Sequence, residues 1–194
     1  MMLGIDERFD KIERKISEPS FMKNMGLGNE VGYYIFDYSP ADELYVRDRV
    51  VKLAEKFNSS GSFPKIVLYD LYEIVINILQ EKGYLEMCDR FEKKSGFERI
   101  TKAVSDMLRV SDTEGNLIIE RIKSTLSPNS IVFLTGVGKC YPIIRSHNIL
   151  NNLHQVIDDV PVVLFYPGKF DGQTLLLFNE IKDDNYYRAF PLVD

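Results

Sequence analysis

Cysteine is nearly absent from this sequence. Cys88 and Cys140 stand far apart, one in a charged stretch and one directly after Gly138-Lys139. That leaves no disulfide framework to read, and free thiols in a reducing cytoplasm are expected. Positive charge is also short, since 24 Lys and Arg against 29 Asp and Glu give a net charge of −5. Direct DNA binding or attachment to an anionic membrane through bulk charge is therefore not expected. The most apolar run, Val160 to Tyr166, falls far below the ~20 residues needed to span a bilayer. The opening "MMLGIDERFDKIERK" is charged throughout and lacks the apolar core of a secretory signal. A soluble cytoplasmic protein is the expectation. No G-x-S-x-G elbow, H-E-x-x-H pair or Cys/His constellation appears.

What is present is the order of a βαβ chain. A length of 194 residues with 45% hydrophobic content is enough for one domain with a proper core. Ile5, Phe9, Ile12 and Ile16 recur at helical spacing up to Pro19, predicting an amphipathic first helix. A glycine-containing loop, "GLGNEVG" over 26–32, precedes a strand rather than following one, so it makes no dinucleotide fingerprint. "YYIFDY" (33–38), "KIVLYD" (65–70), "SIVFLTG" (130–136) and "VPVVLFYPG" (160–168) are short, nearly continuous apolar runs. Such runs fit strands covered on both faces. "NYYRAFPLV" (185–193), with Pro191 near its end, reads as an edge strand.

Helix-start residues follow these runs. Ser39-Pro40-Ala41-Asp42 and Asp70-Leu71-Tyr72-Glu73 each offer a cap and an acid in the first turn, predicting helices over 40–58 and 71–82. Between about 84 and 126 the strands stop. Alternating charges and apolar residues at helical spacing predict a helical insertion there, with Gly83 and Gly96 as helix ends. The expected fold is a single α/β domain over 1–194. It has a mainly parallel sheet with helices on both faces, a Rossmann-like three-layer arrangement, and the insertion between the second and third strands.

"LTGVGKCYPIIRSHNILNNL" (134–153) carries the one hint of nucleotide chemistry. A phosphate loop needs G-x-x-x-x-G-K-[ST], so that backbone N–H groups cradle phosphates and a hydroxyl meets Mg²⁺. Here Phe133 stands where the first glycine belongs and Cys140 where the hydroxyl belongs. The plain reading is a tight strand-to-helix turn, with Pro142 in the first turn of a helix. The functional reading is an anion site made by Gly136, Gly138 and Lys139 at a helix N-terminus. Asp37 and Asp70 end apolar strands, where a metal-binding carboxylate could sit, although Asp70 also suits a helix cap. Asp37, Lys139 and Lys169 would then gather at the carboxyl ends of the strands.

Over 142–157, at about 100° per residue, Ile149, Leu150, Leu153, Val156 and Ile157 share one face. Arg145, Asn148, Asn151, Asn152 and Gln155 lie opposite, with His147 and His154 on the border. Asparagine is a poorer helix former than Lys or Glu, so this amide face suggests directed hydrogen bonds, either to neighbouring loops or to a partner. The two histidines are seven residues apart, about 10.5 Å along the axis, too far for one ion. Neither metal nor cofactor is expected.

Four blocks carry a family resemblance: "GLGNEVGYYIFDYSPADELYVR", "LTGVGKCYPIIRSHNILNNL", "DDVPVVLFYPGKFDGQTLLLF" and "KDDNYYRAFPLV". In this order they resemble the BrxB family of BREX anti-phage systems, with "RSHNILNNL" and "DDNYYRAF" the most specific pieces. The resemblance covers almost the whole chain. It implies a core component of a phage-defence complex whose partners include the alkaline-phosphatase-like PglZ protein, a large ATPase and an adenine methyltransferase. It implies no catalytic residues. Two readings stand: a non-catalytic adaptor or regulator, or a degenerate nucleotide- or phosphate-binding domain.

Overall fold

The computed structural model describes residues 4–23, 32–59, 61, 64–157, 159–183 and 185–193. Most of the glycine-containing loop over 26–32 lies outside them. The chain opens with α1 (Ile5–Ser17) and the short α2 (Pro19–Met22), followed by β1 (Tyr33–Tyr38). Pro40–Asp42 forms one 3₁₀ turn before α3 (Glu43–Ser59), so the helix expected over 40–58 begins in the tighter form. Ser39 still caps it, accepting from the Ala41 amide. Next come β2 (Lys65–Asp70), α4 (Leu71–Glu81), α5 (Leu85–Ser95), α6 (Phe97–Leu108), α7 (Leu117–Thr125) and β3 (Ser130–Thr135). The chain ends with α8 (Val137–Cys140), α9 (Ser146–Leu153), β4 (Val162–Phe170), β5 (Leu175–Leu177), β6 (Ile181–Asp183) and β7 (Phe190–Pro191).

The strands run in the order β2-β3-β4-β1-β7, every neighbouring pair parallel. The fold is thus the α/β, mainly parallel open sheet that the apolar runs indicated. Its strand order is not the 3-2-1-4-5-6 of dinucleotide-binding domains. The expected final strand shrinks to Phe190–Pro191 at the sheet edge, where a proline is tolerated.

Alternation along each strand feeds two cores. Tyr34, Phe36, Phe133 and Phe165 join Phe9, Ile12, Val46 and Val50 of α1 and α3 on one face. Tyr33, Ile35, Leu134 and Leu164 join residues of α4, α6, α7 and α9 on the other. From β1 the chain crosses to β2 at the far edge by α3 on the first face, then returns through β3 to β4 by helices on the second. The exits of β1 and β3 therefore diverge to opposite faces at their carboxyl ends, with β4 between them. That divergence is where open α/β sheets bind ligands.

The β5–β6 hairpin was not legible as strands. It folds back antiparallel on the end of β4, Gly168 facing Leu177. Its turn places Phe178 (φ 55°) and Asn179 (φ 62°) in the left-handed region. No described helix is long and apolar enough to cross a membrane.

Candidate functional site

The carboxyl ends of β2 and β3 bring together the residues of the phosphate-loop-like turn. Asp70 ends β2 and caps α4, its Oδ1 accepting from the Tyr72 and Glu73 amides at 2.9 and 3.3 Å. Its Oδ2 accepts from Lys139 Nζ at 2.5 Å, and the ammonium also lies 5.2 Å over the Tyr72 ring. Gly136 has φ 81°, and a Cβ there would stand 2.4 Å from Asp70 Oδ1. Glycine is required so that the carboxylate can reach both helix starts. At Gly138 a Cβ would meet Phe178 at 2.9 Å and Pro167 at 3.1 Å, so the hairpin packs into the space. The turn is closed on itself by a partly buried ion pair. Burial, with Asp70 nearby, pushes the Cys140 thiol up to about 12, which leaves little nucleophilic thiolate at neutral pH.

The helix after this turn differs from expectation. Tyr141 is extended (φ −68°, ψ 135°), ending the four-residue α8 before Pro142. A residue preceding proline avoids the helical region, so Pro142 lies in a turn and the next helix begins only at Ser146. Ile149, Leu150, Leu153 and Ile157 are buried as the periodicity indicated, with Val156 half-buried. Asn152 departs from its assigned polar face: it is buried, and its amide donates to the Val110 carbonyl at 3.3 Å. The chain between α6 and α7 passes over this face of α9, and its own Asn116 donates to the same carbonyl at 3.1 Å. Among the described residues, Asn148 and Asn151 make no side-chain hydrogen bond, and Arg145 sits exposed at the N-cap.

His147 joins a network supplied by the β5–β6 hairpin. Its Nδ1 lies 3.0 Å from Asp183 Oδ2, and Tyr187 Oη donates to that same oxygen at 2.7 Å. The Asn185 amide N–H donates to Asp183 Oδ1 at 3.2 Å. Burial pushes the Asp183 carboxyl up, but the donors from His147, Tyr187 and Asn185 outweigh it and bring it down to about 2. The Asn185 side-chain nitrogen also stands 3.1 Å from His147 Nδ1. Asp183 borders a cavity of about 130 Å³ shared with Tyr141, Ile144, Arg145, Ser146 and Tyr166. That volume matches roughly four waters at about 30 Å³ each, not a nucleotide.

The remaining candidates are dispersed. Asp37 accepts from Arg8 Nη2 at 2.9 Å and from the Phe170 amide at 3.1 Å, tying α1 to the end of β4. Arg8 also lies 4.4 Å over the Phe36 ring. Asp37 and Lys139 thus have separate partners, and Lys169 lies within the β4–β5 ladder opposite Leu176. His154 stacks on Tyr33 with ring centroids 3.6 Å apart. Burial pushes its pKa down, against a hydrogen bond to the Arg188 backbone. Among the described residues no group of three or more His, Cys, Asp or Glu is placed to hold a metal. Chemically, the contacts described here orient and fasten elements of the fold. Sequence reasoning missed Asp183, Tyr187 and Tyr166: Asp183 lies in the unread hairpin, Tyr187 just beyond it and Tyr166 in β4, and only the fold brings the three together. The one available signal was the polar block "KDDNYYRAF" within the family resemblance.

A model of the family described as "BREX protein BrxB" matches residues 67–192. A "BREX protein BrxB" of Bacillus cereus (strain H3081.97) is 51% identical over 193 residues, covering 100% of both chains. A "BREX protein BrxB" of Escherichia coli O9:H4 (strain HS) is 32% identical over 189 residues, covering 97% of this chain and 92% of the relative. No solved structure matches. The chain belongs to the BrxB family of BREX phage-defence systems.

Proposed function

We propose that this member of the BrxB family is a non-catalytic adaptor or regulator of a BREX complex. It acts through protein–protein contacts, and its first partner is the alkaline-phosphatase-like PglZ protein. The observation that carries this reading is the closed β3–α8 turn. Lys139 is bound to Asp70 and the space at Gly138 is filled by Phe178, so the residues of the one nucleotide-like motif serve the fold. Binding a phosphate there would first require breaking a partly buried ion pair and moving the hairpin. The outward Arg145, Asn148 and Asn151 on α9 offer donors and acceptors to a partner instead. No metal or cofactor takes part in this role.

Calorimetric titration of the purified chain with ATP and Mg²⁺, and with inorganic phosphate, tests it. No heat of binding and no turnover above buffer are expected, with Lys139→Ala unchanged from wild type. Lysine-dependent binding or turnover overturns the reading in favour of a degenerate nucleotide-binding domain. Co-purification from a host carrying the whole defence cluster tests the partner. The Asn148→Ala/Asn151→Ala double variant should keep its melting temperature and lose PglZ. A variant that keeps PglZ removes this face from the contact.

A further inference from the structure

The α5–α6 hairpin carries a cluster of exposed apolar side chains outside the site described above. Tyr84, Met87, Cys88 and Phe91 follow one another at i, i+3, i+4 and i+7, making one apolar stripe along α5. Ile100, Ala103, Val104 and Met107 repeat the same spacing on α6. The two stripes line an open groove of about 360 Å³. No residue of α5 is buried, whereas α6 buries Thr101, Val104 and Leu108. An eleven-residue helix is marginal by its propensity alone. Its apolar face is therefore the part of the chain that gains most from being covered.

We propose that a second copy of this chain covers it, the two α5–α6 hairpins closing into a four-helix arrangement. Charge supports this occupant. Residues 84–108 carry five acidic and five basic side chains, a balance of zero in a chain whose net charge is −5. Two copies meeting here bring neutral faces together, so no net repulsion opposes the contact. Several of these charges are already neutralised within their own helix, as in Lys93–Asp89 at 2.7 Å and Lys102–Asp106 at 3.0 Å. The hairpin thus presents no excess of either sign, which suits a self-complementary contact better than an oppositely charged one.

Shape and area agree. Met87 (55% exposed) and Phe97 (57%) stand out beside the groove, so each copy carries both the projections and the recess that a two-fold contact needs. Tyr84 (42%) and Phe91 (41%) add to them. At roughly 200 Å² per large side chain, these four expose about 400 Å² of mostly apolar surface. A homodimer interface buries about 800 Å² per partner, about 65% of it apolar, or roughly 500 Å². The exposed Ala103 and the half-buried Ile100 and Met107 supply the remainder. Antiparallel helix pairs presenting such stripes pack into bundles by this geometry.

Size-exclusion chromatography with light scattering on the full chain, from about 1 to 100 µM, reads the outcome directly. The expected mass is twice 22.4 kDa, falling to the single-chain mass in Phe91→Glu. Met87→Glu should do the same, and its side chain is so exposed that its own fold is unaffected; melting curves check this for both variants. A wild-type chain that stays monomeric across the range overturns the proposal. So does a dimer that survives both substitutions. A monomeric chain that loses co-purification with another protein of its defence system on Phe91→Glu also overturns it, and gives the groove to that protein. These readouts are independent of nucleotide binding and of the α9 face, so failure here leaves the adaptor reading standing.

Discussion

At the carboxyl end of the sheet, Asp37, Asp70, Lys139 and Asp183 each meet a partner from a different element. Along α5 the reverse holds. Charges pair within the helix or face water, and the apolar side chains stay largely exposed. The two regions reverse what residue type suggests about function. A lysine after two glycines invites a phosphate, yet in a partly buried turn its nearest anion is the aspartate that caps the neighbouring helix. A stretch of ordinary helix looks merely structural, yet much of its apolar surface stays exposed. Where polar groups are buried, pairing is obligatory and they become fasteners. Where apolar groups are exposed in a contiguous stripe, they mark a contact.

The sharpest way to break this comparison is at the fastened end. Gly136→Val would place a β-branched residue at φ 81° with its Cβ against the Asp70 carboxylate. A loss of about 3 kcal/mol or more in urea denaturation is expected, from the left-handed backbone and the overpacking together. Asp70→Ala should cost about 2–3 kcal/mol, combining a lost helix cap with a Lys139 deprived of its carboxylate. If either variant melts like wild type, the turn is not the lock described, and Lys139 returns as an anion ligand.

Within α9 the same contrast runs between neighbours. Asn152→Ala should destabilise by about 1 kcal/mol, because a buried hydrogen bond to the Val110 carbonyl is lost while Asn116 still donates to that oxygen. Asn151→Ala should change stability by less than about 0.5 kcal/mol, toward stabilisation, through better helix propensity. Equal effects at the two positions would mean that the amide face is of one kind, as its sequence suggests.

The smallest expected effect is a pH slope from His154. Its folded-state pKa lies below the ordinary 6.5, so as pH falls below about 6.5 the unfolded chain takes up the proton first. The stabilisation is complete above that pH and declines below it, toward the depressed folded value. Melting temperature should therefore fall more between about pH 7 and pH 5.5 in the wild type than in His154→Phe. Asp183, held to about 2, stays ionised in the folded chain over this window and contributes nothing to the slope.

The apolar runs alone determined the parallel sheet, because a strand covered on both faces has no polar side to show. Residues 33–38 and 65–70 were readable to their ends for a second reason: Ser39 and Asp70 stop one element and start the next by local hydrogen bonds. Local chemistry also set the helix ends at Gly83 and Gly96, both at positive φ. The β5–β6 hairpin was beyond such reading. Leu175–Leu177 is too short to show a period, and a left-handed phenylalanine in its turn is tolerated only because the hairpin packs over Gly138. The partner of His147 and the burial of Asn152 were likewise decided at a distance, by a hairpin nearly forty residues away and by the chain passing at Val110. Whether a polar residue fastens the fold or faces a partner depends on what lies opposite it. Sequence determines the group and its local conformation; only the tertiary structure supplies its neighbour.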